Sequence, residues 1–571
     1  ELLYACYYNQ DEKKKGFDYL FKAMMVILNK FDQQNFNLNF DANQQTISVH
    51  KDLAHAFFYE VLKNSHKNID LLNEYKVNFV DMIFGLQQVV KSNKLSAKLS
   101  ESITRQFSKD IKISSEMKKY TSLLNKKAEL SKIDTIDSKK IKKRNKDIVK
   151  LNKEIEVLQA NIIKNYPDIK KNFANQVANG TLIHQNIPGD EALIQYTVGN
   201  FFTYVTVVTS ENYTVQRINA GKKQLSKLVK KVRNSLELEN GAPKQFALTD
   251  SQKLYEILLD RMSDLIKDKK KLIIIPDDSL YSIPFELLHD KVNNKWLVEK
   301  YAISISPSAY SYVALNYDSL EFNSGNSFLG FGDPVIRDAK IAESSNFEDI
   351  LELEFSKIFT RGGNINLKYL KLFPELPETA IELKRISAKF DKNSKLYLRN
   401  DFNEETLNTI NFSDYKVVSF ASHALVVGEI DGLSEPAIVL SLPKKITSKN
   451  DGLLTASEII KLNINSDLII LSGCNTASSD GNANSEALSG LANSFFYSGA
   501  KSLMVTHWSV ISNTSVDLMS DTFNFLTESK GDLSVALMKS KIKMLNNPDT
   551  SHPLYWAPYT LVGRIKMNTE N

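Results

Sequence analysis

The sequence predicts an α-helical N-terminal region followed by an α/β fold, in which a mostly parallel sheet is covered by helices on both faces. Up to about residue 165, apolar residues recur at helical spacing. Beyond Pro167, short segments rich in β-branched and aromatic residues alternate with helical stripes. Alternation of continuous apolar strands with helices is typical of a buried parallel sheet.

Length and composition indicate several globular domains. A chain of 571 residues exceeds the size at which one hydrophobic core stops growing. With 42% hydrophobic and 24% charged residues, it has the balance of a folded, soluble protein. The changes in periodicity predict four domains, at 1–110, 111–170, 171–315 and 326–571.

Hydropathy and the number of cysteines indicate the cellular compartment of the protein. Its apolar stretches are all far shorter than the roughly 18 residues that span a bilayer. The two cysteines, Cys6 and Cys474, are too few for a disulfide framework. The sequence therefore predicts a protein of the reducing cytoplasm that does not enter a membrane.

The first domain is predicted to consist of helices stacked in pairs. Two apolar stripes with helical spacing begin at Phe17 and Leu53, and they continue to Leu28 and Leu62. Paired short helices with aromatic residues resemble tetratricopeptide repeats. We expect this half of the chain to contact a regulatory protein partner.

The second domain is predicted to be a long coiled-coil hairpin. Apolar residues alternate three and four apart from Ile148 to Ile162, which is the spacing of a coiled-coil seam. The hairpin is either a spacer or a lever that carries a signal to the C-terminal half. The chain has a net charge of +5, and its excess of lysines is concentrated between residues 112 and 153. Acidic residues are interleaved with these lysines. That pattern favours a solvated helix face over nucleic-acid binding.

The α/β part begins with a strand meander and continues with alternating strands and helices. Strands are predicted at 193–198, 203–208, 214–218, 272–275, 303–305, 328–331, 395–398, 417–420, 438–440, 468–471 and 503–505. Helices are predicted near 379–390, 404–410, 455–462, 486–496 and 513–526. Ligands of such folds bind at the carboxyl ends of the strands.

Two of these strands lead directly into reactive side chains. The strand at 417–420 is followed by His423, and the strand at 468–471 is followed by Gly473 and Cys474. A thiol becomes a useful nucleophile beside a base, and an imidazole can protonate a leaving amine near neutral pH. On spacing alone, a small buried cysteine and a structural histidine remain the alternative interpretation.

The surrounding motifs resemble the CHAT family, relatives of caspases and separases, from about Leu272 to Gly563. The motifs that carry the resemblance are LIIIPDDSLYSIPFELL (272–288), FGDP (331–334), VVSFASHA (417–424), LIILSGCNTA (468–477) and HPLYWAPYTLVG (552–563). The resemblance implies a caspase-like peptidase domain at 326–571 and a non-catalytic caspase-like half before it. It also implies a protein substrate and no metal or organic cofactor.

The resemblance assigns roles to individual residues. His423 would be the acid/base and Cys474 the nucleophile, with the oxyanion held by backbone N–H groups of Ala424, Gly473 and Cys474. Family members usually have glycine directly after the histidine, whereas this chain has Ala424. Alanine keeps the N–H but cannot take the backbone angles that only glycine tolerates.

The sequence is compatible with more than one preference for P1, the residue before the cleaved bond. Caspases bind an acidic P1 with arginines, but no arginine lies between positions 399 and 564. Asp431, Asp480 and Glu486 follow the two reactive residues and would favour a basic P1, whereas Arg337 would favour an acidic one. Each of the three carboxylates also has a plain interpretation as a turn or helix-start residue.

Three functional hypotheses follow. The first is a cysteine endopeptidase that is switched on by a partner or signal, and the family resemblance implies a bacterial defence or cell-death pathway. The second is a catalytically silent interaction scaffold, against which the retention of both His423 and Cys474 speaks. The third is an effector linked to nucleic acid through the basic hairpin, which would bind with strong salt dependence.

Overall fold

The computed structural model of the chain describes residues 13–33, 40–65, 77–91, 178–316, 327–336, 373–425, 435–443, 450–462, 464–473, 490–508, 512–563 and 566–567, with scattered residues between 119 and 161. The coiled-coil hairpin predicted at 111–170 lies largely outside these described residues. No helix among the described residues is long and apolar enough to cross a bilayer.

Helices flank the strands throughout the described part of the chain. The helices are α1 (Lys13–Gln33), α2 (Phe40–Ser65), α3 (Phe79–Lys91), α4 (Gly180–Asn186), α5 (Lys222–Asn234), α6 (Leu248–Leu258), α7 (Ser263–Ile266), α8 (Ala309–Asn316), α9 (Pro377–Ser387), α10 (Glu404–Thr409), α11 (Ala456–Ile459), α12 (Gly490–Ser498), α13 (Ser512–Glu528), α14 (Leu533–Leu545) and α15 (Pro553–Trp556). The strands are β1 (Glu191–Val198), β2 (Thr203–Val208), β3 (Tyr213–Ile218), β4 (Leu238–Glu239), β5 (Ala242–Pro243), β6 (Lys271–Ile275), β7 (His289–Asp290), β8 (Lys295–Trp296), β9 (Ala302–Ile305), β10 (Phe328–Gly332), β11 (Lys395–Leu398), β12 (Val417–Ala421), β13 (Ala424–Leu425), β14 (Ala437–Val439), β15 (Leu453–Thr455), β16 (Leu468–Leu471), β17 (Ser502–Thr506) and β18 (Tyr559–Gly563).

One large sheet organises the α/β part. Its strand order is β11-β10-β12-β16-β17-β18-β9-β6-β1-β2-β3. The pairs are parallel except for the meander β1-β2-β3 and the pair of β17 with β18. Strands β12, β16 and β17 are buried along their whole length, as expected where helices cover both faces. The predicted helical region followed by a mostly parallel sheet is confirmed.

Strand β18 joins the two α/β segments into this single sheet. It runs antiparallel to β17, with Leu561 opposite Met504, and parallel to β9, with Val562 opposite Ile305. The strands before residue 316 and those after residue 327 therefore share one continuous hydrogen-bonded ladder. Their apolar side chains also belong to one continuous core.

The prediction for residues 438–440 needs a correction. This segment was expected to be one of the strands that alternate with helices in the main sheet. It instead forms β14, the centre of a separate antiparallel sheet with the order β13-β14-β15. The reason is that the chain turns directly after His423 into β13, and β14 pairs with that short extension.

The N-terminal helices form a second apolar core against the outer strands of the sheet. Phe17 of α1 stacks on Phe57 of α2 with ring centroids 5.8 Å apart. Phe58 meets the ring of Tyr204 on β2 edge-on at 5.1 Å, and the Tyr204 hydroxyl donates to the carbonyl of His55 at 3.0 Å. The two predicted stripes therefore lie on α1 and α2, and their aromatic members attach this unit to the sheet.

A buried ion pair connects α14 with the segment that follows β6. The Lys541 ammonium donates to the Glu286 carboxylate at 2.6 Å and to the carbonyl of Tyr559, the first residue of β18, at 2.7 Å. Both side chains are almost fully buried, at 1% and 3% exposure. Burial lowers the pKa of Lys541, although the nearby Glu286 opposes this. Removing one partner of this pair would therefore leave an unpaired buried charge and lower the free energy of unfolding.

We expect the substitution Lys541→Met to destabilise the protein by about 3–5 kcal/mol, because Glu286 would keep a buried charge without its partner. The double variant Lys541→Met with Glu286→Leu should recover most of this loss, since both charges are then gone. Urea unfolding followed by circular dichroism measures both effects. The matched control is Lys539→Met on the same helix, whose pair with Glu528 at 3.3 Å is solvent-exposed and contributes at most about 1 kcal/mol. Equal losses for Lys541→Met and Lys539→Met would contradict the expectation.

Candidate active site

The candidate site lies at the carboxyl ends of β12 and β16. These two strands are parallel neighbours, with Val417 opposite Leu468 and Phe420 opposite Leu471. The Ser472 N–H donates to the carbonyl of Phe420 at 3.1 Å, which continues the pairing past the strand end. The segment carrying His423 and the segment carrying Gly473 therefore emerge at one edge of the sheet, as the sequence predicted.

Several predicted site residues lie outside the described residues. Cys474 directly follows Gly473, the last residue described in this segment. The four residues named for P1 recognition also lie outside; they are Arg337, Asp431, Asp480 and Glu486. The positions of His423, Ala424 and Gly473 are described.

His423 is buried and held in one orientation. Its Nε2 lies 2.8 Å from the carbonyl oxygen of Pro374, and its ring packs on Phe373 with centroids 5.0 Å apart. Because a carbonyl can only accept, Nε2 carries the proton and Nδ1 of the neutral ring carries the free lone pair. Burial lowers the pKa of His423, although the Pro374 bond and the charge of Glu378 oppose this. The imidazole is therefore neutral near pH 7 and suited to accept a proton.

Gly473 allows the two strand ends to approach closely. A Cβ at this position would lie 2.6 Å from the carbonyl oxygen of Ser422 and 3.1 Å from the Cβ of Ala424. The space that a side chain at position 473 would occupy is therefore filled by the chain's own segment 422–424.

The N–H of Ala424 faces away from β14. Val439 N–H donates to the His423 carbonyl at 2.9 Å, so Ala424 and Ile438 form a non-hydrogen-bonded pair of this small antiparallel ladder. The same nitrogen lies 3.4 Å from where a Cβ of Gly473 would stand. This N–H is thus on the side of the strand that precedes Cys474.

A cavity of about 240 Å³ adjoins these residues. Its lining includes Pro374, Leu376, Glu378, His423, Gly473 and Glu382. Helix α9, which supplies the two glutamates, begins with Pro377 in its first turn, a position where proline's missing N–H costs nothing. The start of α9 is thereby placed beside the carbonyl of Pro374 that holds the histidine.

At the buried end of the cavity, four side chains form a closed ring of contacts. Glu382 accepts from the hydroxyl of Ser472 at 2.8 Å and from that of Ser515 at 3.1 Å. The hydroxyl of Tyr559 lies 2.9 Å from the Ser472 oxygen and 2.6 Å from the Ser515 oxygen. The ring therefore ties α9, the end of β16, α13 and β18 to one point.

Sequence reasoning missed Glu382, although a signal was present. The buried positions of α9 are Thr379, Glu382, Leu383 and Ile386, which is one helical stripe. A carboxylate at a core position of such a stripe is costly unless it is hydrogen-bonded or used. That conflict between residue type and position points to a functional group.

His507 lies away from the cavity and packs in the core. Its Nε2 lies 3.0 Å from the Thr560 hydroxyl, and its carbonyl accepts from the Arg233 guanidinium at 2.7 Å. Burial holds its pKa well below the usual value. Among the described residues there is no group of three or more His, Cys, Asp or Glu side chains that could hold a metal ion.

Comparison with known proteins places the chain in a family. A search of curated proteins found no match. Among solved structures, the RgpB pro- and mature-domain complex of Porphyromonas gingivalis is similar at 8% identity, with 60% of this chain and 76% of that chain covered and a TM-score of 0.34. The separase–securin complex of Saccharomyces cerevisiae is similar at 11% identity, with a TM-score of 0.38. That alignment covers 98% of this chain and 45% of the matched chain of the complex. The sequence model of the CHAT domain matches residues 249–564. Because this match covers more than half of the 571 residues, the chain belongs to the CHAT domain family.

Proposed function

We propose that this protein is a cysteine endopeptidase in which Cys474 attacks the scissile carbonyl and His423 moves the protons. The observation that carries the proposal is a buried, neutral His423 with a fixed tautomer, placed at the sheet edge where the segment leading to Cys474 also emerges. Membership of the CHAT domain family supports the same assignment.

The chemistry follows from the state of the imidazole. His423 takes the thiol proton on Nδ1, and the Cys474 thiolate forms a bond to the carbonyl carbon of the substrate. The imidazolium then protonates the leaving amine as the peptide C–N bond breaks, which leaves an acyl-enzyme. Water, deprotonated by the same ring, releases the acid and restores the thiol. The Pro374 carbonyl keeps Nε2–H occupied and so leaves Nδ1 for these transfers.

Backbone N–H groups are proposed to stabilise the tetrahedral oxyanion. The Ala424 N–H faces away from β14 and toward the segment that precedes Cys474. Together with the N–H groups of Gly473 and Cys474, it would supply fixed dipoles where negative charge develops. Alanine in place of the usual glycine keeps this donor, because β13 has ordinary extended backbone.

The proposal includes a protein substrate and control by a partner acting on the helical region. In support, Lys91 of α3 donates to the carbonyl of Ile275 at 3.0 Å, at the carboxyl end of β6. The same helix contacts β2 through a bond between Gln87 and Thr206. A partner that moved α3 would thus act directly on the large sheet. The setting implied by the resemblance is bacterial defence or cell death.

We expect Cys474→Ala and His423→Ala each to lower kcat/KM for a cleaved substrate by at least about a thousandfold, since members of a catalytic pair act as a unit. The matched control is Cys6→Ala, which removes the other cysteine of the chain and should leave cleavage unchanged. The assay incubates the full chain with a peptide library and with candidate protein partners. Cleavage by Cys474→Ala at the wild-type rate would falsify the nucleophile assignment, and cleavage by no variant would favour the scaffold.

The titration of His423 gives an independent check. Because burial lowers its pKa, the ring should remain neutral to a lower pH than the value of about 6.5 for an exposed histidine. The folded state then binds this proton less readily than the unfolded state, so the contribution of His423 to stability is lost as pH falls.

NMR of labelled histidine in the Cys474→Ala variant measures this pKa without coupling to the thiol. Comparison with Cys474→Ala/His423→Asn identifies the signal among the eight histidines. A His423 pKa above about 6.5 would contradict the burial argument.

A further inference from the structure

The cavity beside His423 has the size and position of a pocket for one substrate side chain. At about 240 Å³ it is smaller than the roughly 300–1,000 Å³ of pockets that enclose drug-sized ligands. Both His423 and Gly473 line it, so a side chain inside would belong to a residue whose carbonyl lies near the proposed nucleophile. That residue is P1.

Two glutamates on one face of α9 give this cavity its chemical character. Glu378 is partly exposed, whereas Glu382 is 2% exposed and lies one helical turn further along. Among the described residues, the side chain of Glu382 forms no ion pair, and its hydrogen bonds come only from hydroxyl groups. A buried carboxylate without a cation beside it is energetically unfavourable in its ionised form, so such a group is unusual in a protein core.

Counting protons in the ring around Glu382 shows that the site lacks one donor. The ring contains four oxygen–oxygen contacts, between Glu382 and Ser472, Ser472 and Tyr559, Tyr559 and Ser515, and Ser515 and Glu382. Its three hydroxyls supply three protons. With Glu382 ionised, one contact would join two oxygens without a proton between them. Either Glu382 carries the fourth proton, or an incoming group supplies a donor.

The charged groups around this ring do not supply that donor. Burial raises the pKa of Glu382, and the Ser472 and Ser515 bonds only oppose this. Tyr559 of β18 faces it, and burial raises the pKa of that phenol as well. Lys541 of α14 lies behind Tyr559, but it donates to Glu286 and to a backbone carbonyl. His423 and Glu378 complete the titratable lining of the cavity.

We propose that this cavity is the P1 pocket and that Glu382 at its base selects a lysine or arginine side chain. The proposal rests on the proposed peptidase function. As the cationic group enters, Glu382 releases its proton to water and becomes the counterion, and an N–H of the ligand supplies the missing donor. Ser472 still donates to the carboxylate, while Ser515 turns its proton toward Tyr559, so the ionised form keeps the hydrogen bond from Ser472 and gains one from the ligand. An acidic P1 would instead meet two carboxylates.

The experiment compares peptides that differ only at P1, which is arginine, lysine, norleucine, glutamine or aspartate. Wild type should prefer the basic residues. In Glu382→Gln, whose amide matches the neutral acid in shape, kcat/KM for arginine relative to norleucine should fall at least about tenfold, because the buried partner of the cation is gone. The control Glu404→Gln changes another buried carboxylate, which accepts from the Gly452 N–H at 2.7 Å outside the cavity, and should leave the ratio unchanged.

The dependence on pH separates selection from a merely structural role. For the arginine peptide, kcat/KM relative to the norleucine peptide should rise with pH in wild type, since Glu382 must lose a proton to bind the cation. In Glu382→Gln this relative slope should disappear. A ratio that is flat with pH in wild type would overturn the proposal.

Butylguanidinium, a mimic of the arginine side chain, tests the cavity without catalysis. It should raise the melting temperature of wild type and of Cys474→Ala, with a much smaller shift in Glu382→Gln, because only the folded state binds it. If peptides are cleaved through Cys474 without a basic preference, the P1 assignment fails and the peptidase stands. If nothing is cleaved but the Glu382-dependent shift is seen, the peptidase fails and the cation pocket stands. Equal shifts in wild type and Glu382→Gln would overturn the pocket.

Discussion

The parallel pairing of β12 with β16 is the constraint on which the site depends. Because parallel neighbours end at the same edge, the segment that carries His423 and the segment that ends at Gly473 emerge on the same side of the sheet. The close contact of Gly473 with segment 422–424 then sets how near the two strand ends come. A larger residue at 473 would separate the two segments whatever side chains they carried.

A second group of buried polar contacts holds this edge against the rest of the molecule. The ring of Glu382, Ser472, Ser515 and Tyr559 joins α9, α13 and β18 to the end of β16. One residue of that ring, Tyr559, also accepts from Lys541 through its backbone carbonyl. The geometry of the proposed site and the union of the two α/β segments therefore share an anchor. Buried polar networks of this kind favour one arrangement of the core, because each alternative leaves a polar group unsatisfied.

Much of this arrangement could be predicted from sequence, for identifiable reasons. Strands β12 and β16 are mostly apolar runs, so the position of the segments that follow them, at one edge of the sheet, could be predicted from periodicity and topology. The role of Pro374 could not be predicted, because it acts through a backbone carbonyl that every residue possesses. Strand β14 was assigned to the wrong sheet because a three-residue apolar run does not reveal its partner. Gly473 was recognised, but which group fills the space beside it depends on a contact distant in sequence.

The position of β18 near residue 560 has a consequence for how the protein is made. Its partner β9 ends at Ile305, so more than two hundred residues must leave the ribosome before the ladder between them can close. Until then the nascent chain holds β9 and β17 as two open edges, which are sites for wrong pairing. Such distant pairing is also slow to form. Because Tyr559 of β18 also belongs to the ring around Glu382, the edge that carries the proposed site would be completed only after β18 has been made.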